Sequence, residues 1–227
     1  MMMKNSSRLA LSSVLPLVLA LGISACGGGG GSSSGGGGVP PVTGRGAPII
    51  LVNGLILGQD DTFSPIDGDA ATTATIDGIP CGSEIVNFHV HAHLSIIVNG
   101  NRVAVPDAIG IHNPRPEQNN FVASGGCLYY LHTHDASGVI HMEAPGAMSF
   151  TLGQLFDIWG QPLSMTNVAG KTGSVQVYTA ANPGAYVPYS GDIRALPIQR
   201  HEDILLEVGP AFVNPQSLPL IIFPTGL

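Results

Sequence analysis

The chain has 227 residues, of which 44% are hydrophobic and 10% are charged, and its formal net charge is −7 at pH 7. An acidic balance of this size argues against nucleic acid as a partner, because phosphate backbones attract basic surfaces. The 31 glycines and 18 prolines are typical of a compact, β-rich secreted domain, and the chain is long enough for one full hydrophobic core.

Residues 1–25 have the pattern of a secretory signal peptide. Lys4 and Arg8 form a positively charged N-terminal region, and the apolar run at 9–21 is too short for a stable membrane span. After Cys26 the sequence contains only Gly and Ser up to residue 38, a composition that cannot bury apolar surface. We therefore expect a flexible tether at 26–44 and a single His-rich β domain at 45–227.

The end of the signal segment, Ile23-Ser24-Ala25-Cys26, resembles the lipobox of bacterial lipoproteins. The resemblance implies cleavage before Cys26 and acylation of that cysteine, which would anchor the chain to a lipid bilayer. Gly27 stands where an aspartate favours inner-membrane retention in the resembling lipoproteins, so the expected location is the cell envelope at the outer membrane. An ordinary cleaved signal with a chance cysteine is the alternative.

Cys81 and Cys127 are the remaining thiols. Two cysteines in an oxidising compartment most often pair, so a disulfide is predicted. A pair of thiolate metal ligands is the alternative, which requires a reducing setting or early metal binding.

The first predicted strand is at 48–52, and a far more regular one follows at 88–98. In FHVHAHLSIIV the apolar residues occupy the even positions, whereas three histidines and a serine occupy odd ones. A period of two predicts a strand with the apolar set on the core and the histidines on the opposite face. Asn99-Gly100 then supplies the turn of a hairpin that returns through 102–105.

A long polar connection at 106–126 has the length of a functional lid or binding loop, or of decoration on the rim of the domain. It leads into a predicted hairpin at 127–143 with its turn at 135–138. This register places His132 opposite His141, with His134 and Glu143 on the same face.

A short helix is predicted at 151–160, because Thr151 and Gln154 fit a capping box and Gly160 suits the C-terminal end. Further strands are predicted at 174–179, 201–208 and 218–223. The predicted fold class is mainly β, an antiparallel β-sandwich or barrel with one short helix.

Six of the eight histidines fall into two clusters, each on one face of a predicted strand or hairpin. Imidazole is a preferred ligand of zinc and copper, so a bound copper or zinc ion is the predicted cofactor. Asp135 is a further candidate ligand, and Met142 and Met148 nearby favour copper. The clusters form one site or two, and structural histidines are the alternative. The predicted metal ligands are His89, His91, His93, His132, His134, His141 and Glu143.

Two resemblances involve these residues. Phe88-His89-Val90-His91 is similar to a string in copper–zinc superoxide dismutases, which are β-sandwich proteins with a disulfide and clustered histidines. The zinc-loop histidines, the arginine and the Gly-rich segments of that family have no counterparts here, so the shared string indicates convergence on a strand-borne ligand pair. The region 89–159 also resembles a group of uncharacterised secreted bacterial envelope proteins, which implies no particular mechanism.

Three functions are compatible with these patterns. The first is a membrane-tethered module that sequesters or delivers copper or zinc at the envelope. The second is a metalloenzyme with a three-histidine site, acting as a hydrolase, a hydratase or a superoxide dismutase-like enzyme. The third is an adhesion or structural β domain. We favour the first, because the sequence contains no motif that would indicate the substrate of an enzyme.

Overall fold

A computed structural model of the chain describes residues 49–50, 56–57, 70, 72–115 and 121–223. The predicted signal peptide, the tether and Cys26 lie outside the described residues. Within those ranges, no helix combines the length and hydrophobicity needed to cross a bilayer.

The described chain is mainly β and contains one α-helix, α1 (Leu152–Trp159), and two 3₁₀ turns, Ile193–Ala195 and Pro215–Ser217. The strands in chain order are β1 (Ile49–Ile50), β2 (Ile56–Leu57), β3 (Cys81–Gly82), β4 (Phe88–Val98), β5 (Asn101–Val103), β6 (Ile111–His112), β7 (Cys127–Tyr129), β8 (Leu131–His132), β9 (Val139–Ala144), β10 (Phe150–Thr151), β11 (Leu163–Ser164), β12 (Asn167–Val168), β13 (Lys171–Thr172), β14 (Val175–Ala181), β15 (Val187–Pro188), β16 (Pro197–Ile198) and β17 (Glu202–Val208).

The largest sheet is built around β4. Its strand order is β15-β14-β17-β4-β9-β8, and β5 forms a hairpin with β4. The predicted mainly β fold with one helix is confirmed, and the arrangement is sandwich-like and not a closed barrel. The pairing of β17 with β4 is parallel, in contrast to the predicted antiparallel arrangement, because a period of two fixes the faces of a strand and not the direction of its neighbour.

The apolar face of β4 lies in the main core, as predicted. Ala92, Leu94 and Ile96 are at most 1% exposed and pack in the same cluster as Phe156 and Trp159 of α1. The histidine face is covered as well, since β4 is buried on both faces from residue 91 to residue 97.

The predicted helix and its capping box are confirmed. The Gln154 backbone N–H donates to the Thr151 hydroxyl at 3.3 Å, and the Thr151 N–H donates to Gln154 Oε1 at 2.9 Å. Gly160 ends the helix with φ of 69°, a left-handed conformation that glycine adopts at little cost.

Thr151→Ala is expected to lower the free energy of unfolding by about 1 kcal/mol, because the Gln154 N–H loses its acceptor. Urea denaturation measures the loss. Thr151→Ser is the matched control, since serine keeps the capping hydroxyl, and an equal loss in both variants would contradict the capping role.

The predicted disulfide between Cys81 and Cys127 is present, with the two Cα atoms 5.4 Å apart. Cys81 lies in β3 and Cys127 in β7, and these strands pair in a three-stranded sheet with β6. The disulfide therefore fixes β7, the strand that leads directly into β8 and its histidine, His132.

The predicted strand at 218–223 is wrong, since this segment has no regular structure. Leu218 and Leu220 pack against a small apolar cluster that includes Ile97 and Leu205. The Ile221 N–H donates to the Asp203 carboxylate at 3.2 Å in place of a strand partner. The apolar residues of the tail are thus explained by packing on the sheet.

Candidate metal centre

A row of three histidines crosses three neighbouring strands of the large sheet. His91 of β4 lies directly opposite His141 of β9, and His141 lies directly opposite His132 of β8. The predicted pairing of His132 with His141 is confirmed. Since paired residues project from the same face, the sheet joins the two histidine clusters that the sequence left separate.

Three more side chains flank this row because residues two apart in a strand share a face. Together the six residues form two groups whose potential ligand atoms lie within 4.8 Å of one another in each group, and His141 belongs to both. The inner group consists of His132, His134, His141 and Glu143, and the outer group of His89, His91 and His141.

Burial separates the two groups. His132, Glu143, His134 and His141 are 1%, 2%, 5% and 8% exposed. In the outer group the side chain of His89 is 36% exposed. The inner group is therefore enclosed by protein, whereas the outer group is open at His89.

Hydrogen bonds define which nitrogens of the inner group carry protons. A backbone carbonyl only accepts, so the Nδ1–H of His132 donates to the Tyr129 carbonyl at 2.9 Å, and the Nδ1–H of His134 donates to the Val122 carbonyl at 2.7 Å. In neutral imidazoles the Nε2 atoms then hold lone pairs. These two Nε2 atoms face each other at 3.2 Å, and a cation between them would relieve the contact between the lone pairs.

The nitrogen spacings also match those of metal ligands. Nitrogen ligands at 2.0–2.1 Å from a tetrahedral ion lie about 3.3 Å apart. His132 Nε2 and His134 Nε2 are 3.2 Å apart, and His91 Nε2 and His141 Nδ1 are 3.1 Å apart. Each pair could therefore bind one ion with little movement.

Burial keeps the histidines neutral. Desolvation, aided by the neighbouring histidines, lowers the pKa of His132, of His141 and of His91 from 6.5 to about 3 in each case. Desolvation also lowers the pKa of His134. Neutral imidazole is the form that binds metal ions, so near pH 7 these side chains are available as ligands.

Glu143 supplies a negative charge that touches both groups. Its Oε1 lies 2.9 Å from His89 Nε2 and 3.2 Å from His141 Nδ1. Its Oε2 lies 3.8 Å from His132 Nε2 and has no hydrogen-bond partner among the described residues. A buried carboxylate oxygen of this kind is costly unless a cation compensates its charge.

The structure does not bring His93 into either group. Its Nε2–H donates to the Ser137 carbonyl at 2.9 Å, and its Nδ1 lies 2.8 Å from Asp203 Oδ1. Both ring nitrogens are therefore engaged. Asp135 is also outside both groups, and its carboxylate accepts from the Ser137 N–H within the turn.

The connection at 106–126 covers the inner group at His134. The ring of Phe121 stacks on the His134 ring with centroids 4.5 Å apart, and the Val122 N–H donates to the His134 carbonyl at 2.7 Å. The end of this connection therefore packs on the candidate centre, and its function stays a prediction.

Three residues around the centre were not predicted from the sequence as site residues: Glu84, Phe121 and Val122. Burial and the nearby charge of Glu143 raise the pKa of Glu84, which places a second carboxyl group beside the centre. The sequence carried no signal for these residues, because none belongs to a histidine-containing pattern.

Met142 is not available to the metal centre. It is 2% exposed and packs in the main core, on the opposite face of β9 from His141 and Glu143. Since Met148 is an exposed residue outside both ligand groups, the methionines give no reason to prefer copper.

Comparison of the chain with protein-family models, with curated proteins and with solved structures finds no match. The inner group offers three imidazoles and one carboxylate, and the outer group offers three imidazoles, with His141 common to both. Each group could hold a metal ion.

Proposed function

We propose that this protein is an envelope-tethered lipoprotein that binds a copper or zinc ion in the inner group. The observation that carries the proposal is the approach of His132 Nε2 and His134 Nε2 to 3.2 Å while both Nδ1 atoms donate to carbonyls. Two lone pairs in this position repel each other without a cation, and burial opposes a proton there.

The ligand set suits both proposed metals. Imidazole nitrogens bind zinc and copper well, and one carboxylate oxygen completes a set of four ligands. The divalent charge of the ion would also compensate the buried carboxylate of Glu143. An oxygen-preferring ion such as Ca²⁺ or Mg²⁺ gains less from three nitrogen ligands.

The inner group favours holding an ion over catalysis. Catalytic zinc sites keep one coordination position for water or substrate, whereas structural sites fill all four positions with protein ligands. The four residues of the inner group are all buried. The metalloenzyme alternative requires an open position, which the inner group does not provide for a tetrahedral ion.

The envelope location is supported by the signal-like residues 1–25, by the lipobox-like string that ends at Cys26, and by the Gly/Ser-rich segment that follows it. The disulfide between Cys81 and Cys127 also suits an oxidising compartment. In this arrangement acylated Cys26 anchors the chain to the membrane, and the folded domain binds the ion.

Metal analysis of the untagged full chain tests the proposal. We expect copper or zinc in stoichiometric amount after purification, or after reloading of chelator-treated protein. A His tag must be absent, because it would bind the same ions. Protein that retains neither copper, zinc, iron nor manganese in either preparation would contradict the proposal.

A further inference from the structure

We propose that the outer group is the entry site of the centre, through which the ion reaches the inner group by exchange of ligands. The inference rests on the proposed function and adds a route to it. It assigns His89 a role in the rate of loading and release, distinct from the role of the inner ligands in affinity.

The direction of entry follows from exposure. His89 is the exposed ligand of the centre, with 36% of its side chain accessible, whereas His91 is 1% exposed. At the opposite end, the Phe121 ring covers His134, and His134 is held by two hydrogen bonds to the backbone of Val122. An ion from solution therefore meets His89 before any inner ligand.

Shared ligands connect the two groups. His141 belongs to both, so an ion that moves between them keeps this ligand throughout. Glu143 also connects the two groups. Its Oε1 lies 2.9 Å from His89 Nε2 in the outer group, and its Oε2 lies 3.8 Å from His132 Nε2 in the inner group. The transfer replaces His89 and His91 with His132 and His134 as ligands and requires no redox change.

His91 provides the buried half of the entry site. Its Nε2 lies 3.1 Å from His141 Nδ1. Its Nδ1 is buried without a hydrogen-bond partner among the described residues. Buried polar atoms are normally partnered, and an ion in the outer group would give a buried nitrogen of His91 a partner.

The charge at the entrance favours a cation. The carboxylate of Glu143 lies 2.9 Å from the Nε2 of the exposed His89, so a negative group stands directly behind the entrance. A negative group at the mouth of a site raises the local concentration of cations and speeds their association, and this effect weakens as salt is added.

Stopped-flow mixing of the metal-free full chain with Cu²⁺ ions tests the route, using His89→Gln. Glutamine keeps a donor for Glu143 Oε1 and removes the imidazole ligand. We expect the association and dissociation rate constants to fall together by about tenfold, while the equilibrium dissociation constant stays unchanged.

The possible outcomes separate the two proposals. Unchanged rate constants in His89→Gln, or a weaker affinity with an unchanged association rate, would overturn the entry site and leave metal binding intact. Absence of both Cu²⁺ and Zn²⁺ binding by the wild-type chain would overturn both.

A control variant and a salt series complete the experiment. His112→Gln is the matched control, because His112 lies outside both groups and donates to the Ala70 carbonyl, and its rate constants should equal those of the wild type. A salt series on the wild-type chain tests the role of charge, and we expect loading to slow as salt is added. An equal rate at all salt concentrations would contradict the role of charge at the entrance.

Discussion

Replacing both His132 and His134 with alanine is expected to weaken the affinity for Cu²⁺ and Zn²⁺ by more than about 100-fold, since the loss of groups that merely orient ligands already costs 10–100-fold. The change removes the two facing Nε2 atoms and leaves an incomplete inner group. Competition with a chromophoric chelator measures both affinities in the purified full chain.

The matched control for this experiment is His112→Ala, which removes a histidine outside both ligand groups. Near-ultraviolet circular dichroism reports whether the buried Trp159 keeps its native environment in the double variant. A folded double variant with wild-type affinity would show that the ion binds elsewhere.

The metal-free protein is expected to lose stability steeply as the pH falls from about 6.5 towards 3. His132, His141 and His91 have pKa values of about 3 in the folded chain and ordinary values near 6.5 when unfolded. Between these limits the unfolded chain binds more protons, so the free energy of unfolding rises with pH and declines on acidification. Each histidine contributes about 1.4 kcal/mol per pH unit in this window.

The three histidines together give a slope of about 4 kcal/mol per pH unit, against a total stability of about 5–15 kcal/mol for a typical domain. Acid unfolding is therefore expected within a few pH units below 6.5. Urea denaturation in chelator-treated buffers, repeated across this range, measures the slope.

The variant that isolates one histidine in this experiment is His132→Gln. It should reduce the slope by about 1.4 kcal/mol per pH unit, whatever its effect on stability at neutral pH. His112→Gln should leave the slope unchanged. An unchanged slope in His132→Gln would contradict the buried, neutral state of His132.

The local features of the centre were readable from the sequence because short-range patterns encode them. Alternation in 88–98 predicted the strand and its histidine face, and Asn99 and Gly100 adopt the positive φ values, 52° and 83°, that a two-residue hairpin turn requires. The turn at 135–138 set the register that pairs His132 with His141. The disulfide followed from the expected oxidising compartment.

The sequence by itself thus determined two histidine faces, a mainly β fold and a capped helix, since each depends on residues close in the chain. Only the tertiary structure decided that β9 pairs with β4, which places His91 opposite His141 and joins the two faces into one centre. The parallel neighbour β17 likewise brings Asp203 to His93 and keeps that histidine out of both ligand groups. The physical reason is that strand partners are chosen by burial and hydrogen bonding between distant segments, which no periodicity within one segment specifies.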